Sequence, residues 1–159
     1  MRLIRILFLL CLLPQVLSAE AEPDGFHPYS EYSATVVRII DGDTLEVSVD
    51  LWPGLIANYS VRVRGIDAPE LRRVGCEEER AWAKEAKARA ERLYDPGSRV
   101  RLENVEYDVF AGRVVADVKR WRSDRWLSFA REMVERDMAV EWTPEMKDVP
   151  WCLLVSTRE

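Results

Sequence analysis

The chain has 159 residues, 48% hydrophobic and 32% charged, with a formal net charge of −5. The apolar share is enough for a core, which excludes a disordered chain. Seven Gly and eight Pro exclude collagen-like or low-complexity sequence, and three Cys are too few for a disulfide-built scaffold; one domain fits the length.

At the start of the chain, Met1 to Arg5 carries two arginines, Ile6 to Leu17 is almost wholly apolar, and Ser18-Ala19-Glu20-Ala21 supplies small residues. That order reads as a secretory signal peptide over 1–19, with cleavage after 19 or 21, the alternative being an uncleaved membrane anchor. The apolar run has twelve residues and contains Pro14, whereas a spanning helix needs about 20. The expectation is an exported protein, periplasmic or secreted, with no stable membrane insertion after cleavage. Cleavage removes Arg2 and Arg5 and leaves 21 basic against 28 acidic residues. The overall field then gives no attraction to nucleic acid, which local arginines or a metal must hold. Cys11 leaves as well. The remaining Cys76, Cys152 and His27, with no Cys-x-x-Cys, make no standard structural zinc site.

Residues 20–32, with Pro23, Asp24-Gly25 and Pro28, read as a linker. Ser33 to Ile40 is β-branched and predicts a strand, Asp41-Gly42 a turn, and Thr44 to Leu51 an alternating strand. Trp52-Pro53-Gly54 breaks it. Tyr59 to Ile66 resumes, with Val61 and Val63 on one face and Arg62 and Arg64 on the other. Glu77, Glu78 and Glu79 then open a helix whose stripe is Trp82, Ala86, Ala90 and Leu93, ended by Asp95-Pro96-Gly97. Arg99 to Val105 and Arg113 to Val118 predict two more strands, and Trp126 to Arg136 a second helix burying Phe129, Met133 and Val134. The order suggests an α+β, mainly β fold: a five-stranded OB-type barrel with about two helices over 33–143, then a tail over 144–159.

Three short pieces carry the chemistry: Asp41-Gly42-Asp43-Thr44, Arg62 to Glu70 (RVRGIDAPE), and Asp108 to Arg113 (DVFAGR). Each alone reads as a solvated turn. Together, in this order and spacing, they resemble the staphylococcal nuclease (thermonuclease) family from about Ala34 to Trp142. The resemblance implies an OB-type barrel carrying a calcium-dependent phosphodiesterase site. By position, Asp43, Asp67 and the backbone carbonyl of Ala68 match the metal ligands, Glu70 the residue that activates water, and Arg62 and Arg113 the arginines that hold phosphate. The residue chemistry agrees. Carboxylate and carbonyl oxygens suit Ca2+, with Mn2+ or Mg2+ as substitutes, and Arg offers a planar fork to two phosphate oxygens.

Other residues carry further readings. Phe110 stands where the family often has Tyr, and stacks on a base or packs. Arg64 is a third phosphate contact or a salt bridge at the barrel rim. Asp41 stabilises the turn and Gly42 supplies its backbone freedom. Trp82 and Trp126 read as core. Val109 stands where the family often has Lys or Arg, Asp137 where it usually has Gly, and the Leu71–Cys76 loop is shorter than in the best-known member. Cys76 and Cys152 pair in an exported chain, or remain two thiols. The expected protein is a monomeric exported nuclease of DNA or RNA. A single-strand-binding OB module without strong catalysis, or an envelope-associated structural protein, are the rival readings.

Overall fold

The structure, a computed structural model, describes residues 31–109, 112–146 and 148–156. The signal segment, most of the linker and Phe110 lie outside the described residues.

Five long strands build the barrel: β1 (Glu31–Ile39), β2 (Thr44–Trp52), β3 (Leu55–Val63), β5 (Arg99–Tyr107) and β6 (Arg113–Arg122). Their alternate residues point inward, among them Val36, Leu45, Val47, Val61, Leu102 and Val118, all buried. Four antiparallel pairings give the order β3-β2-β1-β5-β6. A parallel pairing from Ser60↔Arg113 to Val63↔Ala116 closes the ring. The result is the closed five-stranded OB-type barrel that the strand spacing predicts. β1 begins inside the segment read as linker, because Glu31 and Tyr32 pair with Glu103 and Leu102 of β5.

α1 (Glu77–Leu93) packs its Trp82, Ala83, Ala86 and Ala90 stripe into the core. The small residues let the helix approach closely. A short β4 (Ile66–Asp67) pairs with β8 (Val140–Glu141) beside the barrel.

The second helix differs from its sequence reading. Residues Arg125–Ser128 form strand β7, and α2 spans Phe129–Val134, burying Phe129 and Met133. Ser123 and Asp124 adopt φ of 50° and 59°, a tight reversal that folds β7 back on β6 with Trp121 opposite Trp126. Trp126 is therefore not core. It lies on the outer face, with Trp121 at 5.3 Å and the Arg101 guanidinium 3.9 Å over its ring.

The tail after Trp142 packs against the domain. α3 (Trp151–Ser156) packs on α1, Trp151 is buried, and Cys152 is disulfide-bonded to Cys76 with a Cα–Cα distance of 6.0 Å. Among the described residues no helix is long and apolar enough to cross a membrane.

Candidate active site

The site begins at the β1–β2 turn. Ile40 and Asp41 both donate their amides to the Thr44 carbonyl, at 2.9 and 3.2 Å, and the Asp41 carboxylate accepts from the Asp43 amide at 3.2 Å. Asp41 thus stabilises the turn. Gly42 has no positive φ; its reason is space rather than backbone freedom. A Cβ there would lie 2.7 Å from Ala68 Cβ and 3.0 Å from Ala86 Cβ. The glycine lets the turn press against both α1 and the segment carrying Asp67.

Asp43 is buried, and three donors hold it. Oδ1 accepts from Thr44 Oγ1 at 2.8 Å and pairs with Arg62 Nη1 at 2.6 Å, while Oδ2 accepts from the Ala68 amide at 2.9 Å. Strand pairing sets this up by placing Thr44 opposite Arg62. Arg62 reaches across to Asp67 Oδ1 through Nη2 at 2.8 Å, so one guanidinium bridges both carboxylates. The second oxygen of Asp67 accepts from the indole Nε1 of Trp151 at 2.8 Å. Burial pushes Asp43 up to about 7 against the pull of Arg62, and Asp41 adds to the rise. Burial works against the charge on Arg62, but Asp43 and Asp67 outweigh it and raise its affinity for the proton.

Glu70 is exposed and lines a cleft of about 450 Å³ together with Arg113, Thr44, Tyr59 and Arg72. Partial burial raises its affinity for the proton, and the Asp41 and Asp67 charges add to it. Arg113 is aligned by Asp108, which pairs with its Nε at 2.5 Å and whose amide donates to the Arg113 carbonyl at 3.1 Å. Arg62 and Arg113 sit on the paired strands β3 and β6, and only Arg113 lines this cleft.

Two residues of this site are not legible from the local sequence. Glu79 looks like helix-dipole charge, yet it is buried. Its two oxygens accept from the Glu70 amide at 3.3 Å and the Gly75 amide at 2.7 Å, fixing the loop that carries Glu70. Its signal is position: it is the third helical residue after an N-cap, where a Glu reaches back to free amides. Cys76 at the cap hides that pattern. Trp151 gives no local signal, since it lies 84 residues from Asp67.

The remaining candidates stand apart. Arg64 donates to the Asn104 carbonyl at 2.7 Å and pairs with Glu106 at 3.3 Å and Asp117 at 3.9 Å, at the barrel rim. Val109 is 94% exposed and brings no charge.

Asp41, Asp43, Asp67 and Glu70 crowd around Arg62. Carboxylate oxygens in excess over positive charge fit a hard divalent cation, which would favour their ionised forms. Asp43 and Asp67 are joined through Arg62, and the buried Ala68 donates its amide to Asp43 Oδ2.

A closed OB-type barrel with a cleft lined by carboxylates (Asp41, Glu46, Glu70) and arginines (Arg38, Arg72, Arg113) alike defines the class. A family model described as staphylococcal nuclease homologue matches residues 60–150, more than half the chain, and the chain belongs to that family. The match takes in Arg62, Asp67, Glu70 and Arg113, begins after the Asp41–Thr44 turn and ends before Trp151. No curated protein matches the chain.

Proposed function

We propose that this protein is an exported, divalent-cation-dependent nuclease that hydrolyses phosphodiester bonds of DNA or RNA. The observation that carries the reading is that Glu70 and Arg113 line one cleft beside the Asp43–Arg62–Asp67 cluster.

Asp43, Asp67 and the Ala68 carbonyl would hold the cation, calcium by their oxygen chemistry. When bound, such an ion polarises the phosphodiester and offsets the negative charge that builds on it. Glu70 takes a proton from the attacking water as the new oxygen–phosphorus bond forms and the ester bond to the leaving oxygen breaks. Its raised affinity for the proton suits a base. Arg113, aligned by Asp108, brings its guanidinium charge to the phosphate oxygens, and Arg62 adds positive charge from the cluster. Tyr59 lines both this cleft and a neighbouring apolar cavity of about 270 Å³ that also contains Tyr32 and Tyr107, a surface suited to a base. The leader-like N-terminus and the disulfide support export.

One observation favours the rival binding-module reading: Arg62 is already engaged by two carboxylates. Fluorescent single- and double-stranded DNA and RNA, each incubated with calcium, magnesium or chelator, separate the two. A nuclease cuts at least one substrate only with cation. Arg113→Ala then loses about 10²–10³-fold in rate and Glu70→Gln about 10²–10⁴-fold. Oligonucleotide binding without any cutting supports the binding module instead, and neither cutting nor binding points to a structural role.

A further inference from the structure

The residue that completes the hydrogen bonding of Asp67 comes from the far end of the chain. Trp151 opens α3, is buried, and donates its indole N–H to Asp67 Oδ2 at 2.8 Å. The other Asp67 oxygen is held by Arg62, so the carboxylate is fixed at both ends. Arg62 and Trp151 do different things there. A guanidinium neutralises a carboxylate, whereas an indole N–H is a neutral donor that orients it and leaves its charge for a cation.

Trp151 is itself held in three ways, through its ring, its backbone and its neighbour. Its ring meets Trp82 of α1 edge-on at 5.0 Å, and the Trp82 N–H is anchored on the Asp137 carbonyl at 2.9 Å. Its backbone amide donates to the Val149 carbonyl at 2.9 Å. The next residue, Cys152, is bonded to Cys76 at the cap of α1. A helix of six residues has no stability of its own in water. The disulfide and the Trp82 contact therefore keep the donor in place.

We propose that Trp151 is a positioning residue for Asp67, and that the Cys76–Cys152 disulfide makes the cation affinity of the site depend on the docking of α3. The proposal rests on the reading of Asp43 and Asp67 as cation ligands. Groups that orient a ligand from behind typically account for about 10–100-fold in metal affinity.

Calcium titration of the full-length protein by calorimetry tests this, with Asp67→Asn as the reference for loss of the site. Trp151→Phe keeps the ring against Trp82 and removes only the N–H. It is expected to weaken calcium binding about 10–100-fold. The Cys76→Ser/Cys152→Ser double variant is expected to weaken it in the same direction, with little added by Trp151→Phe on top. Calcium binding by Trp151→Phe equal to wild type, while Asp67→Asn abolishes it, overturns the positioning role and leaves the cation site standing. Absence of Asp67-dependent binding in the wild type overturns the cation reading and this proposal with it. A second readout does not depend on any variant folding. In the wild-type protein the indole N–H resonance of Trp151 shifts on calcium saturation, and an unmoved resonance contradicts the proposal.

Discussion

At the scale of single residues, the site is governed by how close groups can come. Gly42 has neighbours where any Cβ would sit, and those neighbours are the Cβ atoms of Ala68 and Ala86, with no flexible end to swing away. Gly42→Ala is therefore expected to destabilise the fold by about 1–3 kcal/mol, the usual cost of overpacking, and to shift the turn that carries Asp43. Urea denaturation of the variant beside wild type checks the first part. Glu79 shows the opposite lesson. Its place in Glu77-Glu78-Glu79 suggests a solvated charge, but the third position of the helix turns it toward the free amides of Gly75 and Glu70. A sequence gives the charge and the position; which amides wait there depends on how the loop returns.

At the scale of elements, alternation was a sound guide to the barrel and a poor one to the hairpin after it. Leu45, Val47 and Val49 announce an inward face because burial on a strand repeats every second residue. The β6–β7 reversal uses Ser123 and Asp124 at positive φ, without the glycine that usually marks such a turn. Trp126, which the helical reading places in the core, is thus strand surface. α2, in turn, is held less by its length than by Glu132. This buried carboxylate receives Arg120 through Nη2 at 2.6 Å and Nε at 2.9 Å, and the Tyr94 hydroxyl at 2.9 Å. The contacts join α1, α2 and β6, and burial beside Glu132 raises the Tyr94 phenol far above its ordinary value. Removing one partner leaves the others buried without their opposite charge. Glu132→Ala is expected to cost about 3–5 kcal/mol, measured as a lower urea midpoint at unchanged slope.

At the scale of the molecule, closure of the barrel turns distant motifs into one site. The β3–β6 pairing sets Arg113 across from Ser60, two residues from Arg62, and the three short motifs meet at that end. Their spacing is legible in the sequence, together with the barrel, whereas Arg38, Tyr59 and Arg72 of the cleft carry no motif. The contribution of the C-terminus was not, because hydrogen bonds between residues 84 apart leave no local pattern. The disulfide spans 76 residues, and closing a loop of that length stabilises by about 4–5 kcal/mol in the chain-entropy model. Cys76→Ser/Cys152→Ser is expected to lose stability of that order, seen as a lower urea midpoint, and an unchanged midpoint would contradict it.

In the proposed cation-dependent phosphodiesterase site, Arg113 acts on substrate and the carboxylates hold the ion. The most direct test is the rate of oligonucleotide cleavage as calcium is raised, for wild type and Arg113→Ala. Both are expected to saturate over the same calcium range, with the variant's plateau about 10²–10³-fold lower. Cleavage that persists in chelator, or equal plateaus in the two proteins, would contradict it.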